Sequence, residues 1–599
     1  MPLNEHGEWI RDTSIQELYL YTNSESYSQG EMIEFCASST FDNTDIEIEI
    51  IQDGPIPRTM HKSNATSKVG YHSAYQAYKG LNWPIVYKFE VPSSFPSGFY
   101  IVKGKTLDTH KAIAEHYFIV RPSRVSSNKN SNSKKDRILL ILSTNTWNCY
   151  NQFGGASAYE SKEVSEISKS WIGDPNGGLD IPFHELFRGT PMLSWKRPII
   201  PGIISVKKYA PRITNIASRG EYNYPIPNDK KEMLIKDATD SYFNMFNATG
   251  WAMYERIFYV WALTHGNDYK IDIASNRDLH RFGTDLLSQY NVVTCVGHDE
   301  YWSSEMRDAM DTWLINGGRC ARFAGNFMWQ VRFEKHEGMN GGEDIQVCYK
   351  YGCVKNDPVF KTDNQDKLTF CWDSKLVGRP GCTTFGLNTS QGLYARFGKC
   401  SPRNSGGYTV YRNEHWSFQN SYVYYGDVLG GAGSGAIIFG YEADGLDYNF
   451  IDGLPVPTGK DGCETENTKI IAMGMCDNGG MPGDQRAIAA MRYGSKNINE
   501  SPDEGMSDKD FKKGQRGNGM IVEYRKGKGC VYHAGCTEWV AGLAPKGTFT
   551  LSDDVNKNTE ASTIAGEVTR TVLDTFLSEA ELPSFDQDVS NRGSVSSKL

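Results

Sequence analysis

The sequence contains no CxxC pair, no apolar run of about 18 residues and no excess of positive charge. Its 13 cysteines are odd in number and mostly isolated, with Cys348 and Cys353 the nearest pair. A disulfide framework or a structural zinc site needs tighter patterning, so both are set aside. Without a run of span length no membrane crossing is expected. The N-terminal stretch MPLNEHGEWIRDTS lacks the apolar core of a secretory signal. A net charge of −9 disfavours a general nucleic-acid binder. No internal repeat is found. These absences point to a soluble, cytoplasmic protein with reduced thiols, and to neither nucleic acid nor membrane as a partner.

What is present is an ordinary globular composition, 39% hydrophobic and 23% charged, over 599 residues. That length is too great for one core. Residues 1–122 read as all-β. In DIEIEIIQDG, Ile46, Ile48 and Ile50 alternate with Glu47 and Glu49, the mark of a strand with one buried face. YKFEVPSSFPSGFYIVKGKT reads as two strands about a Pro/Ser/Gly turn, and the spacing fits an immunoglobulin-like sandwich. Ser123 to Asp136 is polar and basic, a solvated linker over 123–136.

From Arg137 the pattern changes to strand–helix alternation. Ile138 to Leu142 form an apolar strand, followed by polar TNTWNCYNQFGG, read as a loop in which Gly154 and Gly155 bend the backbone close to a ligand. A Pro/Gly/Asn-rich insertion over 160–245 has no clear pattern. Beyond it, YKIDIAS, NVVTCVG and RCARFAG read as strands. Helices are expected in WAMYERIFYVWALTHG, NRDLHRFGTDLLSQY and SSEMRDAMDTWLINGG. In the last, Met306, Ala309, Met310, Trp313 and Leu314 keep helical spacing between a Ser303 cap and a Gly317 stop. This describes a three-layer α/β domain over 137–585. Hairpins such as GMIVEYRKGKGCVYHAG add a mixed-sheet extension, a last helix covers about Thr559 to Leu577, and 586–599 reads as a disordered tail. The strands ending near Ser143, Gly297 and Gly325 are expected to be neighbours.

Four strand ends deliver polar side chains: Tyr150 and Tyr159 after the first, His298-Asp299-Glu300 in VTCVGHDEYWS, Asn326 in RFAGNFMWQVR and Glu442 in AIIFGYEADGLDY. Singly, each is more commonly a turn or capping residue; jointly they suggest a site on a rigid scaffold.

The stretches TNTWNCYNQFGGASAY, YNVVTCVGHDEYWSSEMRDAMDTWLINGGR, FAGNFMWQVR and GYEADGLDYNFIDGLPVPT resemble the catalytic domain of the N,N-dimethylformamidase large (beta) subunit family over about 137 to 585. The resemblance implies an α/β domain related to class I glutamine amidotransferases behind an all-β region. It also implies a mononuclear ferric iron held by Tyr150, Tyr159 and Glu300, with His298, Asn326, Glu442 and Lys350 (in QVCYKY) beside it. Phenolate and carboxylate oxygens suit a hard trivalent ion. The implied activity is hydrolysis of small or N-substituted amides, with the metal polarising the carbonyl and activating water. Glu442 or His298 would move the proton, and Asn326 would donate to the oxyanion. Partners would be the small amide and either copies of the chain or a small accessory subunit.

Two other readings stand beside this one. A cysteine nucleophile would fall at Cys295, near His298, but that residue lies inside the apolar run, as a core cysteine does. A non-catalytic glycan- or polymer-binding protein is compatible with the same scaffold.

Overall fold

In the computed structural model, residues 1–13, 15, 71–76, 123–135, 152, 155, 160–188, 201, 206–248, 266–268, 351–353, 395–405, 432–437, 441, 478–481, 495–505, 545–559, 579 and 586–599 lie outside the described residues. The expected linker (Asp136 aside), most of the 160–245 insertion and the 586–599 tail fall there.

Between Leu18 and Val120 the chain forms a three-stranded and a five-stranded sheet. In the strand Thr44–Gln52, Ile46, Ile48 and Ile50 are buried while the intervening acids are not. These isoleucines share one apolar cluster with Ile33 and Phe35 of the smaller sheet and with Tyr100, Val102 and Phe118 of the larger. The two sheets therefore bury their apolar faces against each other.

Beyond Asp136 a nine-stranded sheet dominates. Its spatial order is Lys270–Ser275, Arg137–Leu142, Val292–His298, Arg319–Gly325, Gly529–His533, Arg516–Lys526, Thr468–Asp477, Tyr408–Val410 and Val428–Leu429. The strands ending near Ser143, Gly297 and Gly325 lie side by side. The first five strands pair in parallel and the remainder antiparallel. Parallel neighbours need crossovers, which the helices Asn276–Leu287 and Ser304–Ile315 supply. Ser275 and Ser303 each accept a hydrogen bond from the backbone three residues on, capping the helix start.

Side chains alternate across the strand Arg137–Leu142. Leu139 and Ile141 join the layer built with Leu279, Met306 and Met310. Ile138, Leu140 and Leu142 face the other layer, with Phe258, Trp539 and Leu573. Phe99 and Tyr117 of the N-terminal sheets belong to that second cluster too. Phe99 stacks on Trp251 with ring centres 4.2 Å apart. Asp53 accepts from Trp251 Nε1 at 2.7 Å and from Arg256 Nε at 2.8 Å. The two regions thus share one core.

Expected helix 251–265 begins differently from its reading: Trp251–Glu255 is wound as a π-turn before the α-helix Arg256–His265. No helix among the described residues is long and apolar enough to cross a membrane. Every described cysteine is a buried, free thiol.

Candidate active site

The stretch after Leu142 is a helix, Thr144–Tyr150, where a loop was expected. Thr and Asn are weak helix formers, so tertiary contacts impose the turn. All seven residues are buried. Asn145 Nδ2 donates to Tyr301 O at 3.0 Å and Trp147 Nε1 to Glu255 Oε1 at 3.3 Å. Gly154 has φ +78°, and a Cβ there would lie 2.3 Å from that of Ala77. The close approach expected of this glycine is to the N-terminal region, not to a ligand. Beyond the turn, Ala158 N donates to Cys149 O at 3.0 Å. That bond sets the following residues, Tyr150 and Tyr159, side by side with ring centres 4.5 Å apart.

The neighbouring strands carry glycines at or next to their ends for steric reasons. A Cβ on Gly297 (φ +77°) would meet Tyr254 Cβ at 2.2 Å, and one on Gly325 would meet Glu442 O at 2.7 Å. His298 and Asn326 follow these glycines directly. Asn326 adopts φ +62°, which asparagine tolerates better than most residues. Its backbone N–H is held by Asp444 Oδ1 at 2.9 Å.

These ends meet in one buried cluster. His298 Nε2 lies 2.7 Å from Glu442 Oε2 and 3.3 Å from Glu300 Oε2. Asn326 Nδ2 donates to Glu442 Oε2 at 2.7 Å and stands 3.1 Å from His298 Nε2. Thr389 Oγ1 donates to Asn326 Oδ1 at 2.9 Å. Glu300 Oε1 accepts from Tyr159 Oη at 2.6 Å and from Trp329 Nε1 at 2.7 Å. Tyr150 hydrogen-bonds Tyr159 in turn. Lys350, with φ +51°, places Nζ 3.3 Å from the centre of the Tyr159 ring, and among the described residues that ammonium has no hydrogen-bond acceptor. The structure therefore brings together Tyr150, Tyr159, His298, Glu300, Asn326, Lys350 and Glu442.

Burial and mutual charge set the proton positions. Burial alone would pull the His298 imidazolium down, but the Glu442 charge and hydrogen bonds to Glu300 and Glu442 raise it well above its ordinary value. Burial pushes Glu442 up; His298 opposes this, and the Glu300 charge adds to it, for a net rise. For Glu300 burial also raises, yet the bond to His298 outweighs it and the carboxyl titrates low. Burial lowers the Lys350 ammonium despite the Glu300 charge. Burial and the Glu300 charge hold the Tyr159 phenol protonated.

The cluster can thus move a proton between His298 and Glu442, and it offers hard oxygens at Tyr150, Tyr159 and Glu300. Among the described residues no group of three or more His, Cys, Asp or Glu side chains is arranged to hold a metal, so an ion here would draw on the phenols.

Sequence reasoning missed Tyr301, whose Oη donates to Tyr159 Oη at 2.6 Å, and also Trp329, Thr389 and Asp444. Tyr301 directly follows Glu300 in HDEYW, and that adjacency was the available signal. Cys295 is fully buried, and its thiol is raised by a hydrogen bond to Cys320 and by burial, the state of a core cysteine.

A family model described as N,N-dimethylformamidase beta subunit-like, C-terminal, matches residues 51–555. An N,N-dimethylformamidase beta subunit from Paracoccus aminophilus is 39% identical over 71 residues, 12% of this chain and 9% of that protein. One from Alcaligenes sp is 24% identical over 270 residues, 42% of this chain and 28% of that protein. Each match spans less than a third of the relative's length. The solved structure of the sporulation control protein Spo0M from Bacillus subtilis covers 18% of this chain and 48% of its own at 11% identity, with a TM-score of 0.13, too slight a likeness to inform the fold.

Proposed function

The chain belongs to the N,N-dimethylformamidase beta subunit-like family, and on that premise we propose that it hydrolyses the C–N bond of a small or N-substituted amide. The observation that carries this is the buried meeting of His298, Glu442 and Asn326 with the Tyr159–Glu300 pair. Glu442, its carboxyl raised and bonded to His298, is suited to take a proton from water and return it to the leaving amine nitrogen. Asn326 Nδ2, held between Glu442 and His298, is the donor nearest a developing oxyanion. To serve there it must release Glu442.

The donor set fits a hard trivalent ion. Glu300 is buried, its Oε2 facing His298 Nε2 at 3.3 Å, and the Tyr159 hydroxyl donates to its Oε1 at 2.6 Å. Tyr150, Tyr159 and Glu300 would hold ferric iron with three anionic oxygens. When bound, that ion supplies Lewis acidity that polarises the amide carbonyl and makes water more acidic. Lys350 beside the Tyr159 ring favours the deprotonated phenol.

We also read the N-terminal sheets as immunoglobulin-like and the larger domain as related to class I glutamine amidotransferases. Its relatives are named beta subunits, and we take this chain to assemble with a small accessory subunit or with its own copies.

The test is metal analysis and visible spectroscopy of the purified protein, with assay against a series of N-substituted amides. The expected result is about one iron per chain, a phenolate-to-iron band and hydrolysis, with Glu300→Ala losing all three. An active protein that contains no metal would remove iron from the reading; absence of hydrolysis across the series would remove the activity.

A further inference from the structure

Arg197 is among the largest fully buried side chains, 1% exposed. Among the described residues no carboxylate offsets its charge, and burial pulls the guanidinium down to about 9. A buried cation without a counter-ion is costly, so its contacts need a reason. Among the described residues, all of its side-chain hydrogen bonds go to the segment that carries the two phenols. Nη2 donates to Asn148 O at 2.9 Å and to Asn148 Oδ1 at 3.2 Å, and Nη1 donates to Ala156 O at 3.1 Å. Asn148 lies two residues before Tyr150, and Ala156 three residues before Tyr159.

We propose that Arg197 is a positioning residue whose planar fork spans both arms of the 148–159 segment and fixes the separation of the Tyr150 and Tyr159 phenols before Glu300. Its neighbours hold the same segment: Asn151 Nδ2 donates to Pro198 O at 2.9 Å, and Ile200 N donates to Asn151 Oδ1 at 3.2 Å. A guanidinium reaches two carbonyls at fixed spacing, whereas an ammonium is a single point. The sequence places Arg197 in the Pro-rich stretch PMLSWKRPIIPG, where no periodicity marks it. This inference rests on the proposed site, since it assigns a purpose to the tyrosine spacing.

The test compares full-length Arg197→Met and Arg197→Lys with the parent. Hydrogen exchange is measured on chelator-treated protein, together with the thermal midpoint. Turnover and the visible band are measured on metal-loaded protein. For Arg197→Met the expected result is faster exchange confined to peptides within 144–159, with the midpoint nearly unchanged. The band should shift, and kcat should fall about tenfold to a hundredfold with KM little altered, as for a small misplacement of reacting groups. Arg197→Lys should fall between parent and Met. Unchanged exchange within 144–159 would overturn the proposal, and so would loosening spread over the whole sheet, which would make Arg197 a general structural element. If the parent binds no iron and cleaves no amide, the functional reading fails on its own, while exchange in the metal-free protein still decides the role of Arg197.

Discussion

At the residue scale the site is a set of shared oxygens. Glu442 Oε2 accepts from both His298 and Asn326, and Glu300 Oε1 from both Tyr159 and Trp329. Glu442→Gln keeps the shape and cannot carry the proton. On the proposed reading its kcat should fall roughly 10²–10⁴-fold while its metal content matches the parent's, as metal analysis beside steady-state kinetics would show. Tyr301→Phe removes only the donor to Tyr159. One such bond contributes about 1 kcal/mol, so turnover should fall about fivefold to tenfold, and the proposed phenolate-to-iron band should be displaced with it. A variant indistinguishable from the parent would make Tyr301 a packing residue. The seven residues named from sequence all stand in this cluster because each follows or opens a strand or lies in an ordered motif. Thr389 and Asp444 were illegible: nothing local distinguishes a threonine that orients a distant amide from one that fills a strand.

At the scale of elements, the strands 292–298 and 319–325 and the helix 304–315 were legible because apolar runs and helical spacing are local signals. The helix Thr144–Tyr150 was not, because its residues favour helix only in their buried setting. Glu255 is part of that setting. Its Oε1 accepts from Ser143 N and Trp147 Nε1, its other oxygen has no hydrogen-bond partner among the described residues, and burial drives the carboxyl up to about 8. The unfolded carboxyl titrates near 4.3, so the folded chain keeps a proton that the unfolded chain releases. Stability contributed by this group is therefore full below about pH 4.3, declines as pH rises toward about 8, and is level beyond. Glu255→Gln should flatten that decline, by at most roughly 5 kcal/mol. Denaturant titrations of both proteins from pH 5 to 8 check this, and parallel slopes would show that Glu255 holds no proton.

For the whole molecule, the shared cluster of Phe99, Tyr117, Trp147 and Trp251 means the N-terminal sheets help complete the core of the larger domain. Asp53→Ala would strand Trp251 Nε1 and release Arg256. It should cost about 2–4 kcal/mol and lower a single calorimetric transition. Two separated transitions would instead show that the regions melt independently. The site spans the molecule in another sense as well. Tyr159 and Glu300 are 141 residues apart, and Asn326 and Glu442 are 116 apart. Closing such distances is late work for a folding chain, whereas the hairpin formed by Arg516–Lys526 and Gly529–His533 closes locally. During refolding from denaturant, β-structure should return before the Trp329 environment beside Glu300 does. Iron supplied at the start should leave that refolding rate unchanged, because the oxygens that would bind it have not yet met. On the proposed iron reading, an ion that binds only the finished fold cannot act as a template for it, and a chain folded without iron should still be able to take it up afterwards.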